Sequence, residues 1–283
     1  MFTNSVFPRL CRWLSLGLAA ASCNHLFYYP DAYYYDDPAR ENVLYENLVW
    51  TNPENLKLQV LEMFPSSAYE HERGTIVHLH GNAQNRSSHY HFSYWLTNHG
   101  YRVFVPDYRG YGGSEGKPSR EGLVSDAQFF IRTVCERVQG PVYVFGQSLG
   151  GAVAVPALAK MNSSCIRGLI IESSFSSYRA IARDKLASFW LSWLFQYPLS
   201  FLVSDDASPV DYAGAVSVPT LMIHGEADPV VPIDFGKKLY NAFVVPDKDF
   251  WTVPHGGHTS GFVSEAGPFK ERLVEWLERH SLE

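Results

Sequence analysis

Residues 141–152 read PVYVFGQSLGGA, and this stretch predicts a strand that turns sharply into a helix. An apolar and aromatic run ends at Phe145, and a run rich in alanine and valine follows the glycines. Between the two runs, Gly146 and Gly150 flank Ser148 in the pattern G-x-S-x-G. Such a turn holds a serine hydroxyl in an exposed position at the edge of a sheet. Because five residues of this kind also occur by chance, the rest of the chain must supply a base, an acid and a site for negative charge.

The overall composition is that of a globular domain able to bury a sizeable core. Of the 283 residues, 46% are hydrophobic and 15% are aromatic. The net charge is -6 and no run of lysine or arginine occurs, so the chain has no electrostatic basis for binding nucleic acid. No pattern indicates a nicotinamide, flavin or metal cofactor, and none is predicted. The four cysteines, Cys11, Cys23, Cys135 and Cys165, are too few and too scattered to predict a disulfide framework or a CxxC metal site.

Residues 1–23 predict a leader for export. Two arginines precede an apolar run over 13–21, a pattern that fits a secretory signal better than a membrane span, which needs about 20 apolar residues. The stretch LGLAAASC resembles the lipobox of bacterial lipoproteins, in which the cysteine is acylated, although Ala20 stands where that motif favours leucine. An uncleaved signal anchor and an ordinary signal peptide are the alternatives. The predicted location is outside the cytoplasm and anchored to a membrane, in the bacterial cell envelope if Cys23 is acylated.

Residues 24–42 are predicted to form an aromatic-rich tether between the leader and the domain. The stretch FYYPDAYYYDDP at 27–38 is rich in tyrosine, whose rings suit a membrane interface but also pack along the edge of a domain. The sequence leaves both interpretations open.

From residue 43 onward, strands and helices alternate. An antiparallel pair is predicted over 43–50 and 56–63, across the turn TNPEN. Further strands are predicted over 75–80, 102–106, 141–145, 166–173, 218–225 and 249–254. Helices are predicted over 87–99, 119–138, the residues after Ser148, 233–243 and 264–280. This order predicts an α/β domain over 43–283, with a mostly parallel sheet flanked by helices and a small helical cap at about 175–213.

A serine nucleophile needs a base to take its proton and an acid to hold that base. Polar residues follow several predicted strand ends, and these ends meet at one edge of a parallel sheet. The predicted base is His258 in the loop HGGH, with His255 as the alternative. The predicted acid is Asp228 in HGEADPVVP, with Glu172 at the end of the preceding strand as the alternative. Ser148 is the predicted nucleophile.

Two backbone N–H groups are predicted to stabilise an oxyanion. Leu149 begins the helix after the nucleophile, so its N–H points toward the developing charge. The second donor is predicted at Asn82, or failing that Ala83, in the loop after strand 75–80. Asp107 is predicted to hold its own glycine-rich loop by bonding backbone amides. The histidines assigned packing or hydrogen-bonding roles are His78, His80 and His224.

The motifs HGNAQN, PDYRGYGGSEGKPS, GQSLGG, HGEADPVVP and PHGGH, in this order and spacing, resemble the α/β-hydrolase superfamily. They are most similar to a membrane-associated branch of serine hydrolases that includes bacterial proteins of unassigned substrate and eukaryotic protein depalmitoylases. The resemblance spans residues 43–283. It implies a serine hydrolase in which Ser148, Asp228 and His258 form the triad, in the chain order that this topology requires. It also implies that Asn82 and Leu149 surround the oxyanion.

The predicted cap contains SFWLSWLFQYPLSFLV at 188–203, which is strongly apolar. Such a segment lines an acyl-chain groove or dips into a bilayer, or else it is a buried helix that covers the sheet. The predicted activity is hydrolysis of carboxylic esters or acyl thioesters through an acyl-enzyme, on lipid-like or other small acyl substrates. The alternatives are a serine peptidase of the same superfamily and a non-catalytic interaction protein on the same scaffold.

Overall fold

The structure, a computed structural model, describes residues 27–161, 164–188, 192–262 and 268–281. The predicted leader over 1–23 lies outside the described residues, so export, acylation and the domain boundaries stay predictions. Within the described part of the chain, no helix is long and apolar enough to cross a membrane.

One eight-stranded sheet forms the centre of the described chain. The strands, in chain order, are β1 (Tyr29–Pro30), β2 (Tyr45–Thr51), β3 (Lys57–Met63), β4 (Gly74–Leu79), β5 (Ala83–Gln84), β6 (Tyr101–Pro106), β7 (Val142–Gln147), β8 (Ile166–Glu172), β9 (Thr220–Gly225) and β10 (Lys248–Val253). The sheet order is β10-β9-β8-β7-β4-β6-β3-β2, and the short strands β1 and β5 pair separately. Strand β3 is antiparallel to β2 and β6, whereas the other neighbours are parallel.

Helices cover both faces of this sheet. They are α1 (Arg86–His89), α2 (Arg120–Arg137), α3 (Leu149–Ala159), α4 (Tyr178–Ser188), α5 (Gln196–Ser200), α6 (Pro209–Tyr212), α7 (Ile233–Ala242) and α8 (Phe269–Arg279). On β7, Val142 and Val144 belong to one hydrophobic core, while Tyr143 and Phe145 belong to a second core that includes Trp276 of α8. Successive strand residues point to opposite faces, so one core lies on each side of the sheet. The predicted α/β fold is confirmed.

The predicted helix over 87–99 is wrong as a single element. The segment forms α1 and two short 3-10 helices, Tyr90–Phe92 and Tyr94–His99. The break falls at Ser93, whose hydroxyl lies 2.9 Å from Nδ1 of the buried His78 on β4. This contact with the sheet competes with continuous helical geometry. Of the closing helix predicted over 264–280, the structure describes α8 and no residue in 263–267.

Two of the four cysteines form a disulfide, a pairing that the sequence did not indicate. Cys135 near the end of α2 and Cys165 just before β8 form a disulfide, with Cα atoms 6.0 Å apart. The two residues are 30 apart in the sequence. They meet because α2 ends at the same end of the sheet at which β8 begins.

Candidate active site

Ser148 lies in a strained turn between β7 and α3. Its backbone angles are φ 52° and ψ -112°, a conformation that L-residues rarely adopt outside functional turns. Its N–H donates to the carbonyl of Glu172 at 2.8 Å, so the end of β8 supports the turn. A Cβ on Gly150 would lie 1.8 Å from the carbonyl oxygen of Leu79, and one on Gly146 would lie 2.6 Å from Cα of Gly151. The two glycines of the motif therefore allow α3 to start directly against β4 and β7.

His258 and Asp228 form a hydrogen-bonded pair beyond β9 and β10. Nδ1 of His258 lies 2.8 Å from Oδ2 of Asp228, while Oδ1 accepts from the N–H groups of Val230 and Val231, both at 2.8 Å. Burial raises the pKa of this carboxyl, but the bonds from His258 and the two amides outweigh burial and lower its pKa overall. The His258 side chain is 22% exposed whereas that of Asp228 is fully buried. An ionised acid thus holds an imidazole that solvent can reach.

The structure also separates the two candidate histidines. His258, rather than the exposed His255, contacts Asp228. Nε2 of His224, at the end of β9, lies 2.8 Å from the carbonyl of Val231, so His224 has a hydrogen-bonding role and supports the loop that carries Asp228. Burial lowers the pKa of His224 and favours its neutral form.

The loop predicted to supply the second oxyanion donor lies beside Ser148. A Cβ on Gly81 would be 3.7 Å from Cβ of Ser148, so the neighbouring Asn82 lies close to the turn at Ser148. The Asn82 side chain is held in place because Nδ2 donates to the carbonyl of Phe27 at 2.7 Å and Oδ1 accepts from the Tyr111 hydroxyl at 2.9 Å. Leu149, the other predicted donor, directly follows Ser148 and is the first residue of α3.

Known proteins are similar to this chain in sequence and in fold. A family model described as "Serine aminopeptidase, S33" matches residues 70–209. The uncharacterized protein YfhR of Escherichia coli K12 is 34% identical over 261 residues, which cover 89% of this chain and 86% of that protein. The chain belongs to the α/β-hydrolase family.

Other α/β hydrolases are similar over shorter stretches or in fold alone. The lysophosphatidylserine lipase ABHD12 of Danio rerio is 35% identical over 187 residues, which cover 62% of this chain and 48% of that protein. An esterase of Pyrococcus furiosus superposes with a TM-score of 0.72 at 20% identity, covering 90% of this chain and 98% of that one. A monoacylglycerol lipase of Paleococcus ferrophilus superposes with a TM-score of 0.59 at 22% identity, covering 79% and 99%. The chain is therefore a hydrolase by family, and the solved structures show that it shares their fold.

Glu172, the alternative acid, contacts the histidine loop rather than the histidine ring in this α/β hydrolase. One carboxyl oxygen accepts from the N–H of Gly261 at 2.8 Å, and the other accepts from Nε2 of Gln147 at 3.1 Å. Burial of this carboxyl raises its pKa to about 7.

Gln147 extends the contact to the oxyanion loop. Its Oε1 lies 3.0 Å from Nδ1 of His89, and Nε2 of His89 lies 2.9 Å from the carbonyl of Ala83. Burial lowers the pKa of His89 to about 4, so the ring is neutral near pH 7. Sequence reasoning missed both residues, because Gln147 occupies a variable position of the motif and His89 has no motif at all. This chain of contacts joins the loop of Ala83, the turn at Ser148 and the histidine loop.

Asp107 also holds the site together, but not as predicted. Its carboxylate accepts from the N–H and the guanidinium of Arg86, both at 2.6 Å, so the amide it binds lies in the segment after the oxyanion loop. A Cβ on Gly112 would lie 2.1 Å from Oδ2 of Asp107, so the glycine-rich loop packs directly on this carboxylate. The expectation that Asp107 bonds amides of its own loop is corrected accordingly.

The cap presents apolar side chains to solvent. The described large apolar residues of this surface are between 38% and 72% exposed: Trp193, Leu194, Phe195, Tyr197, Leu199, Phe201 and Leu202. The alternative of a buried helix is therefore wrong for these residues. The cap adjoins the site, because Lys185 on α4 donates to the carbonyl of Pro229 at 3.2 Å, and Ser174 before α4 donates to the carbonyl of Ser148 at 2.8 Å.

No metal site accompanies this arrangement in the described ranges, where no group of three histidine, cysteine, aspartate or glutamate side chains could hold a metal ion. His78 on β4 contacts Ser93, and Nδ1 of His80, just after β4, lies 2.8 Å from the carbonyl of Gly81.

Proposed function

We propose that this α/β hydrolase cleaves carboxylic esters or acyl thioesters of lipid-like substrates, with Ser148 as nucleophile, His258 as base and Asp228 as acid. The observation that carries the proposal is the bond between Nδ1 of His258 and the buried Asp228 carboxylate at 2.8 Å. This bond fixes the tautomer of His258 that leaves Nε2 free to accept a proton. The strained turn at Ser148 supports the same assignment, since strain of this kind concentrates at functional residues.

The proposed reaction follows from these positions. Nε2 of His258 takes the hydroxyl proton as Oγ of Ser148 attacks the acyl carbonyl, and the N–H groups of Asn82 and Leu149 stabilise the oxyanion. When the intermediate collapses, the leaving alcohol or thiol takes the proton from His258, and an acyl-serine ester remains. A water molecule then gives its proton to His258 and attacks this ester. Release of the acid returns the proton to Ser148.

The exposed cap supports a lipid-like substrate. Contiguous exposed apolar surface marks sites that bind apolar ligands, membranes or other proteins. Two cations lie among these side chains, with Arg183 over the ring of Tyr197 at 4.7 Å and Arg179 over the ring of Phe201 at 5.5 Å. Apolar and aromatic side chains interleaved with arginines suit the boundary between lipid headgroups and acyl chains. The names of the lipase and esterase relatives agree with such substrates.

The same face supports association with a membrane. Phe27, the first described residue after the leader, packs on Phe175 and on Tyr178 at the start of α4, with ring centroids 6.2 and 5.2 Å apart. Phe27 thus lies where the cap begins. Location outside the cytoplasm is further supported by the disulfide between Cys135 and Cys165, because such bonds persist in oxidising compartments. We expect the intact protein to sediment with membranes and the Leu194→Ser and Phe201→Ser double variant to bind vesicles more weakly.

Hydrolysis of p-nitrophenyl esters with acyl chains of increasing length, beside matched acyl thioesters, tests the proposal. We expect a preference for long chains that is absent in Ser148→Ala. The cap double variant should lose this preference but retain activity on short esters, whereas Val244→Ser, at an exposed apolar residue outside the cap, should behave like the wild type. Activity in Ser148→Ala equal to that of the wild type would refute the assignment.

A serine peptidase is the second candidate, because the matching family model carries a peptidase description. Aminoacyl p-nitroanilides provide the discriminating substrates. Release of nitroaniline by the wild type at rates above those for every ester, with loss in Ser148→Ala, would replace the esterase proposal by the peptidase.

A further inference from the structure

Residues 27–37, which we call the strap, run across the loops of the proposed active site. Within the strap, β1 pairs in parallel with β5 of the oxyanion loop, with Tyr29 opposite Ala83 and Pro30 opposite Gln84. The pairing joins residues more than fifty positions apart in the sequence. The strap is therefore part of the site and not a free linker.

Asn82 is bound by the strap from both ends of its side-chain amide. Nδ2 donates to the carbonyl of Phe27 at 2.7 Å, and Oδ1 accepts from the N–H of Tyr29 at 3.3 Å. The Tyr111 hydroxyl completes the contacts of Oδ1. Because the side chain and the backbone N–H of Asn82 belong to one residue, fixing the amide restricts the direction of the N–H.

Further contacts follow along the strap. Nδ2 of Asn85 donates to the carbonyl of Tyr33 at 2.8 Å, and the N–H of Tyr35 donates to the hydroxyl of Ser87 at 2.9 Å. The N–H of Gly112 donates to the carbonyl of Asp31 at 2.9 Å. The strap thus joins the oxyanion loop to the glycine-rich loop beside it.

The oxyanion loop needs such support because part of it is strained. Gln84 has φ 66°, in the left-handed region that residues with a side chain seldom occupy. A conformation of this kind persists only where surrounding contacts over-determine it. The parallel pair between β1 and β5 supplies contacts at this residue.

We infer that the strap is a positioning element that holds the Asn82 N–H in the direction required to stabilise the oxyanion, so that its backbone contacts set the rate of the chemical step. This inference rests on the proposed function for the role of Asn82. It assigns to the segment after the leader a part in catalysis that no motif of the sequence indicates.

Two substitutions at Tyr29 separate the backbone contact from the side chain. Tyr29→Pro removes the N–H that donates to Asn82, whereas Tyr29→Ala keeps the N–H and removes only a side chain that is 65% exposed. For Tyr29→Pro we expect kcat to fall at least about tenfold with KM nearly unchanged, because misplacing a catalytic group by about 1 Å can cost about a hundredfold. Tyr29→Ala, which keeps the N–H, should lower kcat much less than Tyr29→Pro does.

Hydrogen exchange of the backbone amides at 81–85 provides a readout that does not depend on turnover. We expect faster exchange there in Tyr29→Pro than in Tyr29→Ala. Equal kcat and equal exchange in the two variants would overturn the inference, as would a fall in melting temperature with kcat of the folded protein unchanged. If Tyr29→Pro does not fold, Phe27→Ala, which removes the ring packed on Phe175 and Tyr178, should show the same fall in kcat and the same faster exchange.

The inference and the proposed function fail in different ways. If the wild type hydrolyses no ester or thioester, the proposed function is refuted, and exchange at 81–85 still decides whether the strap positions the loop. If the wild type is active and Tyr29→Pro behaves like Tyr29→Ala in both readouts, the inference fails while the proposed function stands.

Discussion

Replacing Glu172 with glutamine is expected to stabilise the protein above neutral pH without abolishing catalysis. The Glu172 carboxyl is buried and lies between the N–H of Gly261 and Nε2 of Gln147, which both donate to it. Burial favours the neutral form of this carboxyl, and glutamine is a neutral side chain of nearly the same size and shape.

The magnitude follows from the pKa of Glu172. Burial raises this pKa from 4.5 to about 7, which corresponds to about 3 kcal/mol. Because the folded-state pKa is the higher one, the stability that this carboxyl contributes is complete below pH 4.5 and is lost as pH rises through about 7. Glutamine does not ionise, so the Glu172→Gln variant does not lose this stability as pH rises. The free energy of unfolding of Glu172→Gln minus that of the wild type should therefore increase by about 3 kcal/mol between pH 4.5 and about pH 8.

Urea unfolding of both proteins across this pH range measures the difference. Glu275→Gln, on the exposed face of α8, is the matched control. A difference for Glu172→Gln that is flat, or that falls with pH, would refute the account of the buried carboxyl. Loss of turnover in a folded Glu172→Gln would show instead that Glu172 is the acid.

Three further outcomes are expected. Ser148→Gly and Ser148→Ala should both lose turnover. In urea the glycine variant should be more stable than the alanine variant by about 1 kcal/mol, because a strained φ costs about 1–3 kcal/mol for a residue with a side chain. Equal stability of the two variants would contradict the turn geometry. Asp228→Asn should lower kcat by about 10⁴ with an unchanged circular dichroism spectrum, and a loss below tenfold would exclude Asp228 as the acid. Reducing the Cys135–Cys165 disulfide should lower the free energy of unfolding by about 3 kcal/mol, since the bond closes a long loop. If mass spectrometry confirms that the disulfide is reduced and the melting temperature is unchanged, the expected loss of stability is contradicted.

The sheet and the positions of the catalytic candidates could be predicted because their signals are local. Each strand is an apolar run between turns, and parallel strands bring their carboxyl ends to one edge. Ser148, Asp228 and His258 each follow such an end, so topology alone places them near one another. His258 could be chosen over His255 from the position of His258 in the loop before the last helix.

The features that sequence reasoning missed depend on contacts between distant segments. The pairing of β1 with β5 involves two residues on each strand, too few to leave a periodic pattern. The contacts of His89 with Gln147 and of Ser93 with His78 depend on side chains that only the finished fold brings together. The sequence also left the exposure of the cap undetermined, because an apolar run has the same pattern whether its side chains face the core or the solvent.

The central claim is that Ser148 is an activated nucleophile, and intact-mass spectrometry after treatment with a fluorophosphonate tests it most directly. The account predicts one adduct per chain, located on the peptide that contains Ser148. It also predicts slower labelling in Asp228→Asn and no labelling in Ser148→Ala. Labelling of Ser148→Ala at the wild-type rate, or a folded wild-type protein that remains unlabelled, would contradict the account.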